Sequence, residues 1–231
     1  MKIKVIFASF KEAYPPEELK KRQEMLKKYI SRKVSLDFVF LGREAGTVWK
    51  NDCGPTDFAH ATPFVVEKVV EAEKQGFDAC TLYGTVDAGI EEARPLVKIP
   101  VIGWGKSTYS VAMLMASKVG VIVYEDTLIP FDQKVLEKYH VSHLVTSIRS
   151  VQIGLPDMTS KKVELKRRFI EACKLAINEG AQVIYPKGIT MVPYHYSPEE
   201  IEKEIGVPVL NAMEIGMRMT ELVASLRQRK N

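Results

Sequence analysis

Titratable and hydroxyl side chains gather just after the short apolar segments of this sequence. Phenol, carboxylate, ammonium and imidazole groups exchange protons with a bound molecule when they are held close to it. Backbone N–H groups at the start of a following helix favour an anion or a developing oxyanion. The candidate residues are Ser9, Tyr83, Gly84, Thr85, Asp87, Lys106, Lys187, Gly188, Thr190 and His195. These residue types predict a small-molecule site in which acid–base chemistry is available.

Lys187 and His195 each leave two interpretations open. Lys187 can have its pKa lowered by desolvation or act as a fixed cation beside a developing enolate, or it can be an ordinary solvated lysine. His195 lies between two tyrosines, where a ligand could stack, or where the ring simply packs. Lys106 follows Gly105, but the glycine spacing of a phosphate loop is absent, so no nucleotide site is expected.

The elements that position these residues alternate between short β-branched runs and longer amphipathic segments, the pattern of a parallel sheet with helices on its faces. The predicted strands span residues 3–8, 36–41, 79–83, 101–102, 118–123, 144–150, 183–185 and 209–210. The predicted helices span residues 17–29, 62–75, 89–97, 107–117, 131–139, 161–179, 198–204 and 213–227. The fold class expected is α/β.

An internal similarity indicates two related halves. In each half a helix ends at a glycine, Gly76 or Gly180, and a strand follows that ends just before a second glycine, Gly84 or Gly188. The interpretation is two pseudo-symmetric, flavodoxin-like halves, residues 1–102 with 208–231 and residues 103–207, with the site in a cleft between them. The alternative is that any two β-α-β units look alike.

The bulk properties exclude several classes. The formal charge of +4 comes from 33 basic and 29 acidic residues that are interspersed, so no nucleic-acid partner is expected. No apolar run approaches the roughly 20 residues of a membrane span, and the N-terminus begins as a strand, so a cytoplasmic protein is expected. Cys53, Cys80 and Cys173 are widely spaced, which favours reduced thiols over disulfides or a metal site, and neither metal nor cofactor is expected.

Several segments together resemble the aspartate/glutamate/hydantoin racemase superfamily, nearest the hydantoin racemase branch. They are Gly-Phe-Asp-Ala at 76–79, Val-Asp-Ala-Gly-Ile at 86–90, Ile-Pro-Val-Ile-Gly-Trp-Gly at 99–105, and Gly-Ala-Gln-Val-Ile at 180–184 with Gly-Val-Pro-Val at 206–209. The resemblance covers nearly the whole chain. It implies an α/β enzyme, usually a homo-oligomer, in which one cysteine after a strand of each half faces the substrate's α-carbon.

This chain departs from the family at both cysteines, because Gly84 and Gly188 stand in those places. Cys80 and Cys173 fall within a strand and a helix, where burial explains them. A two-thiol racemase is therefore disfavoured. Lys187 and Tyr83 directly precede the glycines and are the candidate catalytic groups, and Asp87, which matches an aspartate of the hydantoin branch, either reacts or orients loop amides.

The resemblance also implies that loop residues bind a carboxylate or imide of the substrate. Thr85 and Thr190 lie next to the vacated positions and either bind substrate or cap the loop, Ser9 ends the first strand, and Lys106 reverses the charge of an acidic residue common in the branch. The expected function is a racemase-like isomerase that acts on a small carboxylate or cyclic amide by proton transfer. A hydrolase or lyase on the same scaffold and a non-catalytic binding protein are the alternatives.

Overall fold

The computed structural model describes residues 1–45 and 54–228, and Cys53 lies outside them. The described residues form two compact units. Unit 1 comprises residues 1–45, 55–107 and 213–228, and unit 2 comprises residue 54 and residues 108–212. The half boundaries predicted from the sequence stay a prediction, as does the cleft.

Unit 1 is built on a four-stranded parallel sheet with the order β2-β1-β3-β4. Its helix α2 buries Val65, Val69 and Ala72, spaced four and three apart, against strand residues such as Ile6 and Leu82. Its elements are β1 Lys2–Phe7, α1 Pro16–Lys28, β2 Ser35–Phe40, α2 Pro55–Lys74, β3 Ala79–Tyr83, α3 Ile90–Ala93, β4 Val101–Ile102 and α8 Ala212–Gln228. Helix α4, Trp104–Met115, contains the boundary between the units.

Unit 2 repeats this strand order with β6-β5-β7, also parallel, and a single bridge from Ile184 to Val209 extends the sheet on the β7 side. Helix α6 buries Leu165, Phe169 and Cys173 in the core of the unit. The elements are β5 Val119–Val123, α5 Leu128–Lys138, β6 Val145–Ser150, α6 Lys162–Asn178, β7 Val183–Pro186 and α7 Pro198–Ile205. The predicted α/β class with two parallel sheets is confirmed.

Two predicted elements are corrected. Helix α2 begins at Pro55, seven residues before the predicted start, and passes through Pro63, because Phe58 and Ala61 continue its buried face. The predicted strand 209–210 is only a bridge to Ile184. The N–H of Ile184 donates to the carbonyl of Pro208, and its carbonyl accepts from the N–H of Leu210. Among the residues described, no helix is both long and apolar enough to cross a bilayer.

Candidate functional site

Gly84 is the first of the two positions that the sequence predicts to have been vacated by a cysteine, and this position is open. Register between β1 and β3 pairs Phe7 with Tyr83, which brings Ala8 beside Gly84 one residue further on. Gly84 has a φ of 137°, a conformation that favours glycine, and a Cβ built on it would meet no heavy atom within 4 Å. Nearby in the chain, the Ser9 side chain is fully buried and its Oγ has no hydrogen-bond partner among the described residues. Unit 1 therefore offers space and an unsatisfied hydroxyl at its strand ends.

Tyr83 is engaged within unit 1. Its ring stacks on Phe7 at 4.1 Å between centroids, and its hydroxyl accepts a hydrogen bond of 2.9 Å from Arg22 of α1. Burial raises the pKa of the Tyr83 phenol, and the Arg22 guanidinium only partly opposes the rise. Tyr83 is therefore a neutral phenol at physiological pH, and its predicted catalytic role stays a prediction.

Asp87 holds the start of helix α4. Its Oδ1 accepts from the backbone N–H of Gly105 at 2.9 Å, and its Oδ2 accepts from that of Lys106 at 2.8 Å. A Cβ on Gly103 would lie 2.4 Å from the Asp87 carboxyl carbon, so glycine is required for this close approach. The carboxylate compensates the positive end of the helix dipole. This is the geometry of a residue that orients loop amides.

Thr85 and Lys106, the remaining candidates of unit 1, lie near the start of α4. Thr85 is buried, and its carbonyl oxygen would be 2.4 Å from a Cβ on Gly105. Lys106 is half exposed and its Nζ lies 3.2 Å from Glu91, a carboxylate that Arg94 also contacts. The Lys106 charge is thus partly neutralised on the protein surface.

Lys187 in unit 2 is a buried cation with a buried partner. Its Nζ donates to Asp132 of α5, and both side chains are only 3% exposed. The ammonium also lies 5.8 Å from the centre of the Phe131 ring. Burial holds the pKa of Asp132 above its ordinary value, although Lys187 opposes the rise. An ordinary solvated lysine is excluded, and the catalytic role of Lys187 stays a prediction.

The second vacated position, Gly188, is filled by a tyrosine. Gly188 has a φ of 147°, and a Cβ built on it would lie 2.0 Å from the Tyr124 hydroxyl oxygen and 2.1 Å from its Cζ. The two vacated positions therefore differ: one opens onto space and the other faces a phenol.

Thr190 and His195 lie at the two ends of a short segment, Thr190–His195, that follows β7 and is kinked at Val192, whose backbone is extended. The His195 ring is half-buried, with its centroid 5.1 Å from that of Tyr194 and 6.1 Å from that of Tyr196. The aromatic surroundings expected from the sequence are present. The substrate-binding roles of Thr190 and His195 stay predictions.

The two described cysteines are unsuited to acid–base chemistry. Cys80 and Cys173 are free and completely buried. Burial raises the pKa of Cys80 to about 12 and also raises that of Cys173 well above its ordinary value. Within residues 1–45 and 54–228, no group of three or more histidine, cysteine or acidic side chains is placed to hold a metal ion.

Three residues of these environments were not indicated as site residues by the sequence. Arg22 and Asp132 each lie on the helix after the first strand of their unit, and each contacts the residue before a vacated position. Tyr124 directly follows the predicted strand 118–123, but nothing in its sequence context shows that it faces Gly188. Strand order could have indicated this contact, because it places the end of β5 beside the end of β7.

Comparison with known proteins gives a consistent result. Residues 53–220 match the family described as Asp/Glu/Hydantoin racemase. A hydantoin racemase from Pseudomonas sp. (strain NS671) is 24% identical over 167 residues, which span 71% of this chain and 65% of that protein, slightly less than two thirds of its length.

Two solved structures share the fold. The allantoin racemase of Pseudomonas fluorescens superposes with a TM-score of 0.84 at 20% identity, over 98% of this chain and 92% of that one. A double mutant of arylmalonate decarboxylase, with a glycine changed to cysteine and a cysteine to serine, superposes in its liganded form with a TM-score of 0.66 at 16% identity, over 96% and 92%. At these identities the likeness shows the fold alone.

Proposed function

Because the chain belongs to the Asp/Glu/hydantoin racemase family, we propose that it is a racemase-type enzyme that transfers a proton at a carbon next to a carbonyl group. A hydantoin racemase is among its relatives in sequence and an allantoin racemase among its relatives in fold. Hydantoin and allantoin are both small cyclic amides. The proposed substrate is accordingly a small cyclic amide or a small carboxylate, whose carbonyl stabilises the carbanion as an enolate.

The observation that carries the proposal is that Gly84 and Gly188 stand at the two strand ends where the resemblance places the family's cysteines. A side chain that removes a proton must titrate near the working pH. Glycine has nothing to titrate, and burial keeps the thiols of Cys80 and Cys173 protonated. The proposed reaction therefore uses oxygen or nitrogen groups instead of a thiol pair.

We propose that the polar groups at the ends of β1 and β3 bind the substrate carbonyl. A buried hydroxyl without a partner is costly, about 1–3 kcal/mol, and calls for an explanation. The Ser9 Oγ is such a group, and a substrate oxygen or N–H would satisfy it. The open space at Gly84 and the buried Thr85 lie on the adjacent strand end.

Deuterium exchange tests the proposal directly. Racemic 5-benzylhydantoin, allantoin and aspartate are each incubated with the protein in D₂O, and loss of the α-proton signal is followed by NMR. Enzyme-dependent exchange on at least one probe is expected, whereas absence of exchange on all three contradicts the proposed reaction. Ser9→Ala is expected to weaken probe binding, while the exposed control Ser117→Ala leaves it unchanged.

A decarboxylase, which is a lyase, is the second candidate. The observation that favours it is the difference between the two vacated positions, since a phenol faces only one of them, and a decarboxylase needs to deliver a proton from one side only. A decarboxylase also shares the fold. Release of CO₂ from phenylmalonate, with no α-proton exchange on the three probes, would favour this candidate over the isomerase.

A further inference from the structure

Tyr124 occupies the place where a side chain at position 188 would begin. Strand β5 pairs Ile122 with Pro186 of β7, so two residues further on Tyr124 lies beside Gly188. The built Cβ of Gly188 falls 2.0 Å from the Tyr124 hydroxyl oxygen, far inside van der Waals contact. The phenol and a residue-188 side chain are therefore mutually exclusive in this position.

We propose that the Tyr124 hydroxyl carries out the proton transfer that the second cysteine performs in the family, an inference that rests on the proposed function. A phenol both donates and accepts hydrogen bonds, and tyrosine is among the side chains that serve as general acids and bases. In the step, the Tyr124 oxygen, its own proton released to solvent, takes the α-proton and becomes a phenol while the electron pair of the C–H bond moves into the enolate. Return of a proton from the phenol to carbon regenerates the phenolate, so no further reactant is needed.

The environment of Tyr124 suits this role better than that of the two residues before the glycines. Lys187 and Tyr83 are more deeply buried than Tyr124, and their polar atoms are directed at Asp132 and Arg22. Tyr124 is half-buried, and its hydroxyl lies against Gly188, the position of the second predicted cysteine loss. Its ring packs against the hydrophobic core of unit 2, and its backbone carbonyl accepts from the N–H of Ile153 at 3.2 Å, which anchors the backbone at this residue.

Among the described residues of unit 1, no phenol takes the corresponding place beside Gly84. The equivalent neighbour of Gly84 is Ala8, which carries no titratable group. One acid–base group returns a proton to the side from which it was taken. The proposal therefore predicts that exchange of the α-proton with solvent runs faster than racemisation of the same molecule.

The test compares Tyr124→Phe with Tyr139→Phe, a matched control at the end of α5. Each is assayed for α-proton exchange of single-enantiomer 5-benzylhydantoin in D₂O, with chiral chromatography for racemisation and calorimetry for binding. Tyr124→Phe is expected to lose about 100-fold to 10,000-fold in exchange rate with unchanged binding and melting temperature, and Tyr139→Phe to behave as wild type. If Tyr124→Phe keeps most of its exchange rate, the inference is overturned.

A second variant tests the site beside Gly188 independently of Tyr124→Phe. Tyr124→Ala with Gly188→Cys removes the phenol and places a thiol in the vacated space. Exchange that returns in this variant and is abolished by iodoacetamide, while wild-type exchange resists the reagent, supports the assignment. Wild type without exchange on every probe refutes the proposed function itself, an outcome distinct from exchange that survives loss of Tyr124.

Discussion

Removal of the Lys187 ammonium leaves the Asp132 carboxylate buried without its cation. Lys187→Met keeps most of the aliphatic stem and deletes only the charge, and the Asp132 side chain is 3% exposed. Breaking a buried ion pair from one side costs about 3–5 kcal/mol, because the remaining charge has neither water nor partner. The expected loss is thus a large fraction of the roughly 5–15 kcal/mol that stabilises a typical domain.

The loss depends on pH in a defined direction. Burial raises the pKa of Asp132 even with Lys187 present, and removal of the cation raises it further. The folded variant then binds a proton more tightly than the unfolded chain, whose aspartates titrate near about 3.9. The contribution of Asp132 to the stability of the variant is greatest at low pH and falls as pH rises from about 4 through the raised pKa. The difference from wild type therefore widens from mildly acidic to neutral pH.

Urea unfolding followed by circular dichroism at several pH values measures this effect. Lys187→Met with Asp132→Leu removes both charges and is expected to recover much of the loss, since an apolar pair of similar volume tolerates burial. Lys161→Met, which breaks an exposed pair with Asp157 in the same unit, is the control and leaves the midpoint nearly unchanged. A Lys187→Met midpoint equal to wild type at neutral pH would refute the buried pair.

Three further changes test the surroundings of the site. Iodoacetamide is expected to leave Cys80 and Cys173 unmodified in the folded chain, because both are buried with raised pKa values, and rapid labelling in peptide mass spectrometry would contradict this. Asp87→Ala is expected to cost about 1–3 kcal/mol in thermal unfolding, since two backbone N–H groups lose their acceptor, and Asp87→Asn to cost less. Because burial raises the pKa of Tyr83, wild-type stability falls as pH rises above about 10, and Tyr83→Phe removes that part of the fall. An identical decline in both proteins would contradict the burial of the phenol.

Much of the scaffold follows from local sequence pattern. The run of residues 119–123 is apolar and fully buried, as expected for a central parallel strand, and β5 forms there. Gly76 and Gly180 both adopt positive φ, at 75° and 98°, where their helices end. The repeated helix-glycine-strand-glycine pattern was sufficient to predict two similar sheets because each of its signals is local.

The pairings around the vacated positions depend on information that is not local. Lys187 and Asp132 are 55 residues apart, and Tyr83 and Arg22 are 61 apart. Sequence pattern places Lys187 at a strand end, but the helix against which its side chain packs depends on the crossover from β5 through α5. For the same reason Tyr124 was expected only as a loop residue. Its contact with Gly188 depends on strand order and on the positive φ of the glycine.

The rate of α-proton exchange by a chain without cysteine separates thiol chemistry from oxygen or nitrogen chemistry. The variant Cys53→Ser, Cys80→Ala, Cys173→Ala removes every thiol of the sequence, and circular dichroism verifies that it folds. The folded variant is expected to exchange the α-proton of the responsive probe at a rate close to that of wild type. Loss of exchange in the folded, thiol-free protein, with probe binding retained, would contradict the proposed thiol-independent reaction.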